Sequence, residues 1–226
     1  MDGSTSSNRP WLIVTPASGT APSTVTVNIN IAGLAAGTYN GAITLSASGA
    51  GGLPTSVPVT LTLNARLSGG ELIINRSFEG GILPWWLSGI TASRMTNGGH
   101  TGPGYVSLGN SNFANDIAFQ TIRIPCNATS ADLSFWLNVT SYETTPTIPY
   151  DRLVVEVRST SGVLLGTLVT FSNLNKAAAP NVYTLRGNYS LLAYKGQTVH
   201  LQFRATTDNI LATTFRIDDV SVRWAE

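Results

Sequence analysis

Apolar residues recur at every second position in short runs along this chain, and that spacing constrains the fold more than any other feature. Residues 25–31 (VTVNINI) and 133–140 (LSFWLNVT) each place apolar side chains on one face of an extended strand, and 215–222 (FRIDDVSV) alternates likewise but is interrupted by two adjacent carboxylates. No segment of about ten residues holds a helical apolar period over polar ground. Gly, Thr and Ser are abundant and charged residues make up only 11%, so the expected fold class is all-β.

At 226 residues the chain has room for two small β-domains or one large one. Residues 1–10 (MDGSTSSNRP) read as a flexible polar lead without the basic start and apolar core of a signal peptide, and so as the opening of a piece of a longer polypeptide. Strands are expected at 11–14, 25–31, 39–46 and 57–63, separated by turn chemistry such as 16–22 (PASGTAP). Pro58 assigns the last of these to a sheet edge, where its missing N–H is harmless. The span 11–64 therefore predicts an immunoglobulin-like β-sandwich. Within residues 1–64 only Asp2 and Arg9 are charged, and His, Cys, Glu and Lys are absent. Such a unit lacks the groups for acid–base, nucleophilic or metal chemistry and reads as a spacer. Residues 65–70 form the expected linker. Over 71–226, about eight antiparallel strands or more fit a jelly-roll β-sandwich.

A formal net charge of +1 and a pI near 7.9 give no electrostatic basis for binding nucleic acid, and no apolar run is long enough to insert in a membrane. The lone Cys126 supports neither a disulfide framework nor a thiolate metal cluster, and is read as a small buried hydrophobe. No nucleophile elbow, zinc-protease helix or phosphate-binding loop occurs. His100, in the loop 98–104 (GGHTGPG), has no nearby Cys or second His and is given no metal or general-base role. The expected class is a non-enzyme.

Two groups of residues stand out as candidate sites. The first is carboxylates. Asp218 and Asp219 interrupt the last strand, so the strand is bulged there, or at least one of them faces a cation or a hydrogen-bonded loop. Glu143, Asp151 and Asp208 sit in loops and would form a further cation site only if those loops converge. The second group follows from strand alternation. Trp136 and Asn138 lie on the polar side of their strand; so do Arg152, Glu156 and Arg158 on another, and His200, Gln202 and Arg204 on a third. If these strands are neighbours in one sheet, they form a polar face bearing an aromatic platform, the chemistry that recognises a pyranose. The alternative is a solvated face whose Trp packs under a loop. Trp85 and Trp86 point to opposite faces, one of them to the core, and Tyr105, Tyr142 and Tyr150 are candidates for a rim.

Two resemblances add to this reading. WLIVTPASGTAPSTVTV, AGTYNGAITL and VPVTLTL, within 11–64, resemble the BACON-like and related immunoglobulin-like repeats of secreted bacterial multidomain proteins. NRSFEGGILPWWLSG, HTGPGYVSLG, LSFWLNVTS, YDRLVVEVRSTSG and FRIDDVSV, within 71–226, are similar to jelly-roll carbohydrate-binding modules and related accessory domains. The second resemblance implies a secreted or cell-surface protein, a glycan or polysaccharide ligand, and neighbouring domains of a parent protein as partners. It also implies Trp86 as the freer of the two adjacent tryptophans, and a structural calcium held by Glu79 and Asp219 with backbone carbonyls. The other reading is a structural or adhesive module with no sugar ligand.

Overall fold

The computed structural model describes residues 2–64 and 68–226; residues 65–67 of the expected linker lie outside the described residues. The chain divides into two compact units, Met1–Leu67 and Ser68–Glu226. Both are built of strands. No helix among the described residues is long and apolar enough to cross a membrane.

In the first unit, β1 (Asp2–Ser7), β2 (Leu12–Thr15), β3 (Ser18–Thr20), β4 (Thr26–Ile29), β5 (Gly37–Ala47) and β6 (Thr55–Leu63) form two sheets. One has the order β3-β1-β5-β6, and the other pairs β2 with β4. The expected flexible lead is corrected here: residues 2–7 are a strand paired with both β3 and β5. Its Gly, Ser and Thr residues carry no apolar signal, and main-chain hydrogen bonding alone recruits them. Pro58 lies in β6, the edge strand of its sheet. The core is small, with Trp11, Leu12 and Ile43 buried. The run 25–31 does not supply it: Val27, Ile29 and Ile31 are 45%, 42% and 56% exposed, because β4 pairs only with β2 in a two-stranded ribbon.

The second unit contains β7 (Gly69–Glu71), β8 (Trp86–Ser88), β9 (Ser93–Met95), β10 (Tyr105–Gly109), β11 (Asn115–Arg123) and β12 (Ser130–Ser141). They are followed by β13 (Arg152–Ser159), β14 (Leu164–Ser172), β15 (Thr184–Ser190), β16 (Thr198–Thr206) and β17 (Thr213–Ala225). A six-stranded sheet runs β15-β12-β17-β10-β9, with β7 also on β17, and a five-stranded sheet runs β14-β13-β16-β11-β8. Their inner faces share one core. Phe135 of β12 meets Phe203 of β16 edge to face at 5.0 Å, and Leu133, Leu153, Val155, Leu201, Phe215 and Ile217 are buried around them. Between β15 and β16 the chain makes a short 3-10 turn at Leu192–Tyr194. Cys126 is exposed, contrary to expectation, because Ile124 fills the core at the end of β11 and the chain turns outward after it.

The end strands of this unit meet. β7 pairs antiparallel with β17, placing Glu71 opposite Arg223 and Gly69 opposite Ala225. Glu71 fastens the junction: Oε1 accepts the N–H groups of Ile73 (2.9 Å) and Val222 (2.8 Å), and Oε2 accepts the Ser221 hydroxyl (2.5 Å). Gly69 and Gly70, expected in the linker, therefore belong to the sheet. Further along, β17 is bulged. Between the pairs Ser134–Ser221 and Trp136–Asp218, two steps on β12 face three on β17, and Asp219 takes φ +47°. The bulge shifts the alternation, so Phe215 and Ile217 before it and Val220 and Val222 after it all enter the core.

Glu71→Ala is expected to lower the stability of the second unit by about 2 kcal/mol or more, since it leaves backbone donors unmatched. Glu71→Gln, which keeps an acceptor, should cost roughly half as much. Urea unfolding of the three proteins checks this, and equal midpoints would remove Glu71 from the role given to it.

Candidate functional site

The polar face expected from alternation is split between two sheets. Trp136 and Asn138 are on β12 in the six-stranded sheet, whereas Arg152, Glu156, Arg158, His200, Gln202 and Arg204 are on β13 and β16 in the five-stranded sheet. The sheets pack through a common core, so their outer faces look to opposite sides of the unit. No single surface holds the whole set.

On the six-stranded side Trp136 is covered by a loop. The imidazole of His100 stacks on the indole with centroids 3.7 Å apart and planes 14° from parallel. Asn138 is buried, its amide donating to the Val182 carbonyl at 2.8 Å. The carboxylates of the last strand hold that loop. Asp218 Oδ2 accepts the N–H groups of His100 (2.6 Å) and Thr101 (3.1 Å), and Asp219 Oδ2 lies 2.7 Å from His100 Nδ1 and accepts the Thr101 hydroxyl at 2.7 Å. Burial pushes the Asp218 carboxyl up to about 6; the Asp219 charge adds to the rise, and the backbone N–H groups of Asp219, Thr101 and His100 oppose it. Glu79 Oε1 accepts the Gly104 N–H at 2.8 Å. Gly102 must be glycine: φ is +72°, and a Cβ there would lie 2.7 Å from Glu79 Oε1.

The oxygens at this loop suit a hard cation. A Cβ on Gly104 would stand 2.8 Å from the Phe78 carbonyl and 2.9 Å from Glu79 Oε1. One on Gly99 would stand 2.9 Å from both the Gly102 carbonyl and Asp218 Oδ2 and would strike the Gly104 carbonyl. Among the described residues no three His, Cys, Asp or Glu side chains can hold a metal. A calcium here would therefore take much of its shell from carbonyls.

The five-stranded side is different. Register aligns Trp86 of β8 with Phe119 of β11, Phe119 with Gln202, Gln202 with Glu156, and Glu156 with Thr167 of β14. Trp85 enters the core at 2% exposure while Trp86 is 63% exposed. Glu156, itself buried, accepts from Arg158 Nε (2.7 Å), from Arg204 Nη2 (2.9 Å) and Nε (3.2 Å), and from Gln202 Nε2 (3.1 Å). Burial alone would raise its pKa, but the hydrogen bonds and charges of Arg158 and Arg204 outweigh this and hold it below the usual carboxylate range. His200 supports Phe119, its ring meeting the phenyl edge-on at 4.5 Å. Its Nδ1 lies 2.9 Å from the Thr121 hydroxyl, and its Nε2 lies 3.3 Å from the Thr160 carbonyl. Arg152 is exposed, in register with Thr206. Strand alternation in β11 makes Phe119 an outward apolar residue, a signal that the sequence reading did not use.

The loop carboxylates do come together. Asp151 Oδ1 accepts the Asp208 N–H at 2.9 Å, and Glu143 is pushed up by burial and then by the charges of Asp208 and Asp151, with Lys176 opposing. Of the expected rim, Tyr105 is buried, and Tyr142 and Tyr150 are 77% and 45% exposed beside this cluster in sequence.

No protein-family model and no curated protein matches the chain. Solved structures do. TmCBM61, in complex with β-1,4-galactotriose, superposes with a TM-score of 0.51 at 14% identity, over 70% of this chain and 99% of that one. A structure from the carbohydrate-binding modules of the β-sandwich superfamily gives 0.46 at 12% identity, over 95% and 86%. A cleaved adhesin domain of Lys-gingipain from Porphyromonas gingivalis gives 0.44 at 17%, over 65% and 94%. The fold shared with TmCBM61 is the β-sandwich.

Because Glu156 has a lowered pKa in the folded state, its contribution to stability is present at neutral pH and is lost as pH falls through that depressed value. Wild type should therefore lose more stability than Glu156→Gln on acidification below the ordinary carboxylate range. Denaturant curves along a pH series test this, and parallel losses would contradict it.

Proposed function

We propose that the chain is a non-catalytic, carbohydrate-binding accessory region of a secreted or cell-surface multidomain protein, with its glycan lying across the outer face of the five-stranded sheet. One observation carries this reading: the exposed Trp86 and the half-buried Phe119 occupy the same cross-strand row as Gln202 and Glu156, with two arginines fastened to that carboxylate. Indole and phenyl on adjacent strands offer an apolar strip for the less polar face of a pyranose, and the fixed guanidinium groups and amide beside it offer hydrogen bonds to hydroxyls at little further loss of rotamer freedom. The β-sandwich shared with TmCBM61, a protein solved with a galactotriose, supports the same reading. The first unit, resembling BACON-like repeats and poor in reactive groups, serves as a spacer toward neighbouring domains of the parent protein.

A glycan array backed by affinity electrophoresis on polysaccharides tests this. Trp86→Ala is expected to weaken binding about tenfold or more, and Trp136→Ala to leave it within a few-fold of wild type. Binding unaffected by Trp86→Ala would overturn the site. An array with no ligand would favour a structural or adhesive module, a reading to which the exposed Val27, Ile29 and Ile31 lend weight.

Calcium at the loop 98–104 is proposed as a second element of the same module. Glu79 and the carbonyls of Gly102 and Gly104 are its candidate ligands, with Asp218 placed better for it than Asp219, because Asp218 Oδ2 borders the same Gly99 position as those two carbonyls while it also accepts the N–H groups of His100 and Thr101. The ion would fasten the loop over the bulged strand. Chelator should lower the melting midpoint of wild type and leave Glu79→Gln unmoved; an unmoved wild type would rule the ion out.

A further inference from the structure

The alternating run 25–31 (VTVNINI) takes no part in the buried core of the first unit. Its pairing with β2 shows which way its main-chain groups point. The Asn30 N–H donates to the Trp11 carbonyl at 2.8 Å, and the register continues through Ile29–Leu12, Asn28–Ile13, Val27–Val14 and Thr26–Thr15. Hydrogen-bonded pairs alternate with non-bonded ones in an antiparallel ladder, so Thr26 and Asn28 bond to β2 while the N–H and C=O groups of Val27 and Ile29 face away from it. On that side β4 has no neighbour among the described residues. The Val27 and Ile29 side chains share the face of the buried Leu12, yet they stay 45% and 42% exposed because no strand lies beyond them. Thr26, Asn28 and Asn30 are exposed on the other face. Edge strands are commonly blocked by charge, proline or a bulge. Here residues 10–64 carry no charged side chain, 23–31 contain no proline, and the pairing with β2 runs without a register shift.

We infer that β4 pairs antiparallel with β4 of a second copy of this chain, across a two-fold axis at Asn28, so that two ribbons become one continuous sheet. A second copy is the occupant that this strand specifies, because its polarity reads the same from either end. Pairing about Asn28 sets Val25 opposite Ile31, Thr26 opposite Asn30, Val27 opposite Ile29, and Asn28 opposite itself. Apolar side chains then meet on the core face, polar ones meet on the outer face, and no like charges oppose each other. In that register Val27 exchanges both of its outward main-chain hydrogen bonds with Ile29 of the partner subunit, which satisfies the groups left open by β2. Such an interface is isologous and closes on itself, so association stops at a dimer. It belongs to the first unit and does not depend on the glycan reading.

The test uses the full chain with Cys126→Ser, which removes the exposed thiol. Sedimentation from micromolar to millimolar concentration should show a monomer–dimer equilibrium and no larger species. Ile29→Pro deletes only an outward N–H and should weaken the dimer about tenfold or more. Asn28→Lys, at an exposed position where the monomer has nothing to lose, places like charges opposite each other and should weaken it several-fold. Should Ile29→Pro fail to fold, Asn28→Lys and cross-linking decide alone. On the axis Asn28 faces its own copy in a non-hydrogen-bonded pair, a spacing that a disulfide spans. Mild oxidation should therefore link Asn28→Cys far faster than Thr26→Cys, whose opposite residue is Asn30 of the partner subunit. A chain that stays monomeric throughout, a dimer indifferent to Asn28→Lys, or equal cross-linking of the two cysteine variants would each overturn the inference. The first result would leave the β4 edge to a different protein.

Discussion

The second unit depends on the bulge in β17. This strand lies between β12 and β10 and also receives β7, so a break in its alternation is felt across the six-stranded sheet. With Asp219 at φ +47° one extra residue is absorbed, and the apolar residues on either side of the bulge reach the same core. The carboxylates at 218 and 219 are left on the outer face, where water would solvate them if nothing covered them. The Gly-rich loop 98–104 covers them instead, and its backbone N–H groups supply the hydrogen bonds that the buried Asp218 requires.

That covering makes the two outer faces of the sandwich unlike each other. On the six-stranded side, His100 lies on Trp136, and Asp218 and Asp219 hold His100 in place, so the aromatic surface is taken up internally. On the five-stranded side, Trp86 remains exposed, and the charges further along its cross-strand row are fixed by mutual pairing through Glu156. Such a carboxylate between two arginines adds less to stability than to geometry, because desolvation offsets much of the attraction. What it offers a ligand is a set of donors already in position.

Much of this was legible from alternation alone. The inward residues of β13 and β16 follow from period two, as does the placing of Trp85 and Trp86 on opposite faces; that Trp86 is the freer of the two came from the resemblance. The doubt over whether Asp218 and Asp219 marked a bulge or faced a hydrogen-bonded loop is resolved as both at once. What alternation could not carry is sheet membership. It assigns each side chain to a face of its own strand but not that strand to a sheet, so Trp136 and Arg204 looked like neighbours and stand on opposite sides. Nor could it find β1, whose Gly, Ser and Thr residues join a sheet through their main chain, or the closure at Glu71, a single carboxylate whose partners lie about 150 residues away.

The central claim is that ligand contacts the face bearing Trp86 and not the one bearing Trp136. The chain has five tryptophans, each with its own indole N–H signal. A nuclear magnetic resonance titration of the isotope-labelled chain with an oligosaccharide that it binds reads the site directly. The account predicts that the Trp86 signal moves progressively while that of Trp136 stays in place; a shift at Trp136 with Trp86 unmoved would contradict it.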